Sequence, residues 1–388
     1  MSATFQGYQR KDGLYGSRNY VAIIPSVFCV NEVAMAIAHQ VEGCVPYCHH
    51  KGCTQLEPDL EWTTDALIRI GQNPNIGAIL IVSLGCEGTN NARLVEALKE
   101  TGKPVERIVS QELGGATAAI RIGSDIARNM WLGISGQQRV SAPLSAYTMG
   151  IKCGGSDTTS GLASNPVIGY VSDKIVDAGG KVIFSETTEF IGAEHILARR
   201  CRNPEDAKRV FEIVQEVETE ANKRGVDMRK GQPTPGNIRG GISSIEEKSL
   251  GAIVKSGTRP IEGIIGYNDA PPKPGLWIKH SPAKEIELLS AMAIAGSQCI
   301  LFSTGLGAPQ GYPGVPVLKV CGNPVTFVRQ KEEMDIDAGQ VVLGNKSVEE
   351  VGEEAFAKLL RVLSGEATRS EAVKYYASMD IYTPGNSL

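Results

Sequence analysis

Two stretches, VAIIPSVFCV (21–30) and IGAILIVSLGC (76–86), are near-continuous runs of apolar residues that end at a cysteine or a glycine. A strand with one wet face alternates apolar and polar residues, whereas a strand covered on both faces reads as such a run. The chain is therefore expected to build parallel strands sandwiched between helices. Helical stretches fall where that requires them, at NEVAMAIAHQV (31–41), around residues 59–71 and at NARLVEALKETG (91–102). ERIVSQELGG (106–115) reads as a third strand. Alternating β and α units define the α/β class and place ligands at the carboxyl ends of the strands, here the loops 44–55, 85–91 and 111–115.

A chain of 388 residues exceeds the size at which one core keeps growing, so two lobes are expected. Residues 1–140 read as a Rossmann-like parallel sheet and residues 141–388 as a larger α/β lobe. In the second part a helix is expected over 164–178 and a strand at KVIFSET (181–187). Asn203-Pro204 opens a helix with Ala207, Val210, Phe211, Val214, Val217 and Ala221 on one stripe, closed by Gly225. Ser347 with Glu350 has the spacing of a capping box for a helix ending near Gly365.

Composition excludes several classes. Lysine and arginine total 39 against 43 acidic residues, a formal charge of −4 without the basic footprint of a nucleic-acid binder. No run approaches ~18 uninterrupted apolar residues, and the N-terminus has no apolar signal segment. Nine cysteines, an odd count in a large chain, read as free thiols of the cytoplasm. Glycine is enriched, at 44 residues, and its clustering in a few loops marks where chemistry is to be sought.

Four groups of loops combine glycine with reactive side chains. CHHKGCTQ (48–55) holds His49, His50 and Cys53 with the donor chemistry for zinc or iron(II), and it reads equally as a glycine-hinged turn. SLGCEG (83–88) places Cys86 and Glu87 at the end of an expected buried strand. IKCGGSDTTSG (151–161) offers Lys152, Cys153 and a Gly154–Gly155–Ser156–Asp157 turn whose amides can cradle a carboxylate or phosphate. It lacks the spacing of a P-loop and of the dinucleotide fingerprint. The fourth group is QPTPGNIRGG (232–241), EEKSLG (246–251) and STGLGAPQGYPG (303–314), with Asn237, Lys248 and Ser303 or Thr304 as polar candidates. No serine-hydrolase elbow or zincin motif occurs.

In order along the chain, these segments resemble the altronate/galactarate dehydratase family. The resemblance rests on G-Y-x-R-x-D-G-x-x-G-x-R-N (7–19), the loop His50–Cys53, SLGCE (83–87) and K-C-G-G-S-D-x-x-S-G-x-x-x-N-P (152–166). It continues through S-E-T-x-E-x-x-G-A-E-H-x-L-x-R-R (185–200), P-x-P-G-N-x-x-G-G (233–241) and E-K-S-L-G (247–251). Two departures matter. The family's small N-terminal β-clip (SAF) domain precedes this region, and the chain begins directly at the opening motif. Where sugar-acid dehydratases read T-T-G-R-G-S, this chain reads STGLGAP (303–309). The second removes an Arg and a Ser that could hold a polyhydroxylated sugar acid, and the first resembles split-subunit members of the family, which eliminate sulfite instead of water.

The resemblance implies a metal-dependent lyase that performs β-elimination on a 2-hydroxy carboxylate, releasing water or, alternatively, sulfite. A non-catalytic metal- or anion-binding subunit is the competing class. A divalent cation, iron(II) before manganese or zinc, would stabilise the enediolate formed when the α-proton leaves. Its expected ligand pool is His50, Cys53, Cys86, Glu87 and Cys153, together with His49. Cys53, Cys86 and Cys153 could instead hold an iron–sulfur cluster. Lys152 is the first choice for base or carboxylate anchor, with His195 second and His49 also a catalytic candidate. Gly154, Gly155, Ser156, Asp157, Asn237, Lys248 and Thr304 are the expected substrate contacts. The implied partners are a small hydroxy acid, a SAF-domain subunit in trans and other copies in an oligomer, with neither nucleic acid nor membrane.

Overall fold

The computed structural model describes residues 3–376 and 378–385. Its strands are, in chain order, β1 (Thr4–Gln9), β2 (Tyr15–Gly16), β3 (Tyr20–Pro25), β4 (Cys44–Pro46) and β5 (Ile76–Ser83). There follow β6 (Val105–Val109), β7 (Val140–Pro143), β8 (Thr148–Cys153), β9 (Lys181–Phe184) and β10 (Ile261–Ile265). The last four are β11 (Gly275–Lys279), β12 (Cys299–Thr304), β13 (Val317–Cys321) and β14 (Ile336–Asp337). A four-stranded sheet has the order β4-β3-β5-β6 and a seven-stranded sheet the order β10-β11-β9-β8-β12-β13-β14. Every pairing in both sheets is parallel. The molecule is thus α/β, as the apolar runs require.

Those runs are explained by burial on both faces. In β5 the side chains of Ala78, Leu80 and Val82 enter one core while Ile79 and Ile81 enter another. The first core lies under helices Asn31–Gln40 and Ala116–Ser135. The second is shared with the seven-stranded sheet: Ile300, Phe302 and Val317 meet it from below, and helices Glu57–Gln72 and Glu285–Ile294 fill it. The outer face of the large sheet packs under helices Asn165–Asp177, Pro204–Lys223 and Val348–Leu363. No helix among the described residues is long and apolar enough to cross a membrane.

Several expectations shift in detail. Strand β3 ends at Pro25, and Phe28–Val30 forms a 3₁₀ turn, because Pro25 has no N–H to extend the ladder. The third strand stops at Val109, and a helix not anticipated from periodicity, Ala116–Ser135, starts after Gly115 at φ 105°. Phe211, expected on the buried stripe, is 49% exposed, and Ile213 takes its place beside Val210 and Val214. The Ser347–Glu350 capping box is present. β1, expected in the first lobe, pairs with β7 and sends Phe5 into the core of the seven-stranded sheet.

The opening motif proves architectural. Arg10 donates to the carbonyls of Pro74 and Arg18 and to Asn19 Oδ1, at 2.7–3.0 Å. Arg18 binds Glu371 through two 2.8 Å hydrogen bonds and also donates to the carbonyls of Ser17, Val362 and Glu366. The pair is nearly sealed from water, and removing one partner of such a pair costs ~3–5 kcal/mol. Arg18→Met is therefore expected to lower the unfolding free energy by about that amount while leaving turnover per folded molecule unchanged. Urea titration with an activity assay on the soluble fraction checks this, and equal stability of variant and parent would refute it.

Candidate active site

In an open parallel sheet, the crevice between two strands whose connections leave in opposite directions is the natural ligand site. The seven-stranded sheet has this switch between β8, which connects to β9, and β12, which connects to β13 on the other side. The loop following β8 is Gly154–Gly155–Ser156–Asp157, and the loop following β12 begins at Gly305. They interlock: Gly305 N and Leu306 N donate to the Gly155 carbonyl at 3.1 and 2.7 Å. A Cβ on Gly305 would lie 1.9 Å from Asp157 Oδ1, so only glycine allows this approach.

Alternation along β8 divides the site into two faces. Lys152 points to the shared helical layer, where its ammonium lies 2.9 Å from Glu285 Oε2 and 3.9 Å from the centre of the Phe302 ring. Lys152, Phe302 and Lys319 are register partners across β8, β12 and β13, and burial pulls Lys319 down to about 8. Glu285, at the first turn of its helix, overlies the glycine loop: a Cβ on Gly154 would meet its Oε2 at 2.9 Å. Its side chain is about one-third exposed, at 34%, so this carboxylate opens to the crevice. Among the described residues nothing accepts from the N–H groups of Gly155 and Ser156, leaving two successive amide donors at the same place.

Cys153 points to the opposite face, into a buried ionic group. Its thiol lies 2.8 Å from Glu189 Oε2 and 3.4 Å from Glu186 Oε2. Lys255 Nζ stands 3.1 Å from that sulfur, 2.8 Å from Glu186 and 3.2 Å from Glu189. Glu186 has a left-handed backbone, φ 74°, which holds its carboxylate against the Cys153 N–H at 3.1 Å. Burial and the Glu189 charge push the Glu186 carboxyl up. Burial opposes the Glu189 charge as well, but Lys255 and Lys248 outweigh it and hold that carboxyl at about 2. Burial also raises the Cys153 thiol. One ligand atom each from Cys153, Glu186 and Glu189 lies within 4.8 Å of the others, so the group could bind a metal ion. Lys255 already occupies its centre, and an ion has to displace that ammonium. Beside it a cleft of about 390 Å³ is lined by Ser156, Asp157, Ser160, Asn165 and Lys248.

Two family profiles match the chain: "D-galactarate dehydratase/Altronate hydrolase, second domain" over residues 7–135 and "D-galactarate/Altronate dehydratase, C-terminal" over residues 144–386. The chain belongs to the D-galactarate/altronate dehydratase family. It is 34% identical to the (2R)-sulfolactate sulfo-lyase subunit beta of Chromohalobacter salexigens, over 95% of each chain. It is 32% identical to the altronate dehydratase of Bacillus subtilis, over 95% of this chain and 75% of that one. The galactarate dehydratase (L-threo-forming) of Escherichia coli is 31% identical over 98% of this chain and 77% of its own. All three relatives are lyases.

The family motifs thus map onto different tasks. Asp157 accepts from Thr159, Ser160 and Asn323 and organises its loop. Asn237 caps its own short helix with Thr234 and donates to the Ser156 carbonyl at 2.8 Å, so it holds the loop from behind. Lys248 bonds Gln232 at 3.0 Å and approaches Glu189 at 3.5 Å. Thr304 accepts from Gly307 N and braces the second loop. His195 is exposed on helix Glu194–Arg200, and its side chain bonds to no described residue. Glu285, Glu186, Glu189 and Lys255 were not singled out from sequence. The S-E-T-x-E motif contains two of them, but only the fold joins that motif to Lys255.

The expected metal pool does not converge. Cys153 lies at the end of β8, whereas His50, Cys53, Cys86 and Glu87 follow β4 and β5 of the other sheet. His50 is exposed. His49 is fully buried; Nδ1 accepts from Lys51 N at 3.1 Å, so Nε2 carries the proton given to the Pro25 carbonyl at 2.8 Å. Both ring nitrogens are spent, which excludes this arrangement from catalysis or ligation. The Glu87 carboxylate is likewise filled by Ser26, Gly85 N and Asn91; burial opposes its charge, yet these donors bring it down to about 2.

Burial lowers His49 from 6.5 to about 4. The unfolded chain then binds the extra proton across that interval, so stability falls as pH drops from 6.5 towards 4. Relative to His49→Gln, which keeps both hydrogen bonds, the parent is expected to lose about 2 kcal/mol between pH 7.5 and pH 5. Denaturant unfolding at the two values measures this, and parallel losses in both proteins would refute it. Lys255→Met leaves the buried carboxylates without their cation and is expected to cost ~3–5 kcal/mol. Added manganese or zinc should raise the melting temperature of that variant more than that of the parent, in which the ion must first displace the ammonium. No metal response in the variant would mean that the group serves only as an ion pair.

Proposed function

We propose that this chain is the catalytic subunit of a lyase that eliminates sulfite from a 2-hydroxy-3-sulfonate carboxylate, with dehydration of a sugar acid as the second reading. The match to a sulfolactate sulfo-lyase subunit, 34% identical over 95% of each chain, carries the choice. Leu306 supports it, because it stands where the sugar-acid enzymes place an arginine suited to a hydroxyl-rich substrate. In the reaction the C2 proton and the C3–S bond are lost, the bonding pair leaves with sulfite, and the resulting enol takes a proton at C3 to become a 2-keto acid.

The residues divide the work as follows. The N–H groups of Gly155 and Ser156 and the Lys152 ammonium hold the substrate carboxylate. Glu285, beside Lys152 and open to the crevice, takes the C2 proton; a positioned base of this kind contributes ~10²–10⁴ in rate. Lys152, paired with Glu285 at 2.9 Å, serves as anchor and not as base. Lys248 lines the cleft as the cation for the second anionic group. The divalent ion that the resemblance implies, iron(II) before manganese or zinc, would supply charge stabilisation to the developing enediolate. Among the described residues Cys153, Glu186 and Glu189 would hold it, with the Lys255 ammonium displaced from between them. The relative's being a named subunit supports a partner chain, with a small SAF-type subunit as the candidate. Nine unpaired thiols are in keeping with a reducing compartment such as the cytoplasm.

Purified protein, alone and co-expressed with a SAF-type partner, is expected to release sulfite and pyruvate from sulfolactate and to leave altronate and galactarate unchanged. Glu285→Gln should lower kcat by ~10²–10⁴ with KM changed far less. Keto acid formed from altronate without sulfite chemistry would favour the dehydratase reading. A normal kcat in the variant would remove Glu285 as base.

A further inference from the structure

The four-stranded sheet has a switch point of its own, and no step proposed above uses it. β3 connects to β4 on one side while β5 connects to β6 on the other, so the crevice lies between the carboxyl ends of β3 and β5. Three thiols arise there from three separate loops: Cys29 after β3, Cys53 after β4 and Cys86 after β5. The loops are bonded to one another. Phe28 N donates to the Lys51 carbonyl at 3.1 Å, and Gly88 N to the Gly52 carbonyl at 2.9 Å. A Cβ on Gly52, at φ 100°, would lie 2.5 Å from the Ser26 carbonyl oxygen and 2.9 Å from Val27 Cα, so the loop carrying Cys53 presses directly on the backbone leading to Cys29. Thr54, next to Cys53, is one of three non-glycine residues with positive φ among the described residues, at 53°; another is Glu186 of the site described above.

We infer that Cys29, Cys53 and Cys86 are the protein ligands of a cubane iron–sulfur cluster with one iron left free of protein ligands. Spacing decides against a single ion. Three thiolates around one zinc or iron stand about 3.8 Å apart, from metal–sulfur bonds of ~2.3 Å. The three sulfurs here do not all lie within 4.8 Å of one another. A multi-iron cluster takes more widely spread thiolates because each sulfur binds a different iron. Local chemistry agrees. Gln111 donates to Cys86 Sγ at 3.4 Å, the kind of hydrogen bond to sulfur that tunes a cluster. Cys29 and Cys86 are exposed, and Cys53 is half-buried at the edge of the core beneath it. The Cys29 thiol is pushed up by partial burial and then by Cys53, Cys86 and Glu87, four groups sharing one field. Cys153 is excluded, its sulfur being enclosed by Glu186, Glu189 and Lys255. Assembly removes a proton from each thiol, with iron and sulfide supplied from outside.

The test is anaerobic reconstitution of the full chain with ferrous and ferric iron, sulfide and a thiol reductant, followed by desalting. The parent and Cys153→Ser are expected to retain about four irons and four sulfides per chain with a broad visible absorption. Cys29→Ser, Cys53→Ser and Cys86→Ser should each lose more than half of the iron and sulfide while keeping the parental far-ultraviolet circular dichroism. Cys201→Ser, on a helix flank, should bind as the parent does. Iron without sulfide, cluster retained in the three variants, or cluster lost in Cys153→Ser would each overturn the assignment. Because iron and sulfide are counted without turnover, these results stand whatever substrate the enzyme accepts.

Discussion

A parallel strand must be covered on both faces, and here two parallel sheets meet that requirement with one layer of helices between them. Helices Glu57–Gln72 and Glu285–Ile294 carry apolar side chains into both sheets at once. This sharing has a chemical consequence. The first turn of Glu285–Ile294 is fixed over the end of β8, and Glu285 is thereby held against Lys152 and the Gly154–Gly155 turn. The stability of the joint core and the geometry of the crevice depend on the same packing.

Buried lysines show how strictly charge is managed around that core. Lys103 and Lys279 donate only to backbone carbonyls, and burial draws both down to about 7. Lys255 is just as deeply buried, yet the thiol of Cys153 and the carboxylates of Glu186 and Glu189 outweigh desolvation and push it up. Uncompensated, an ammonium in a low-dielectric interior would lose its proton; matched against carboxylates, it stays charged. The two faces of β8 therefore present two different lysines: one paired with the partly exposed Glu285, the other locked into a sealed ion group.

Much of this was legible from the residues. The apolar runs at 21–30 and 76–86 foretold strands buried on both faces, and the glycine loops foretold where those strands end. The seven-stranded sheet was far less legible: β10 to β14 are short, and their glycine- and proline-rich connections hide any period. Glu285 carried no signal at all, being one acid among several at a helix start. Cys29 was passed over because it sits within an apolar run, whereas Cys53 and Cys86 were flanked by glycine.

What the sequence determined alone is the class of structure and the family, because both rest on local pattern: apolar periodicity, turn residues and ordered motifs. Which side chains meet was decided only by tertiary structure. Cys153 looked equivalent to Cys53 and Cys86, yet strand order sends it to a different sheet and strand alternation turns it away from its neighbour Lys152. His49 looked like a ligand until the fold placed a carbonyl and an amide on its two nitrogens. Strand order and the direction of each side chain are properties of pairings between segments up to hundreds of residues apart, and no local pattern encodes them.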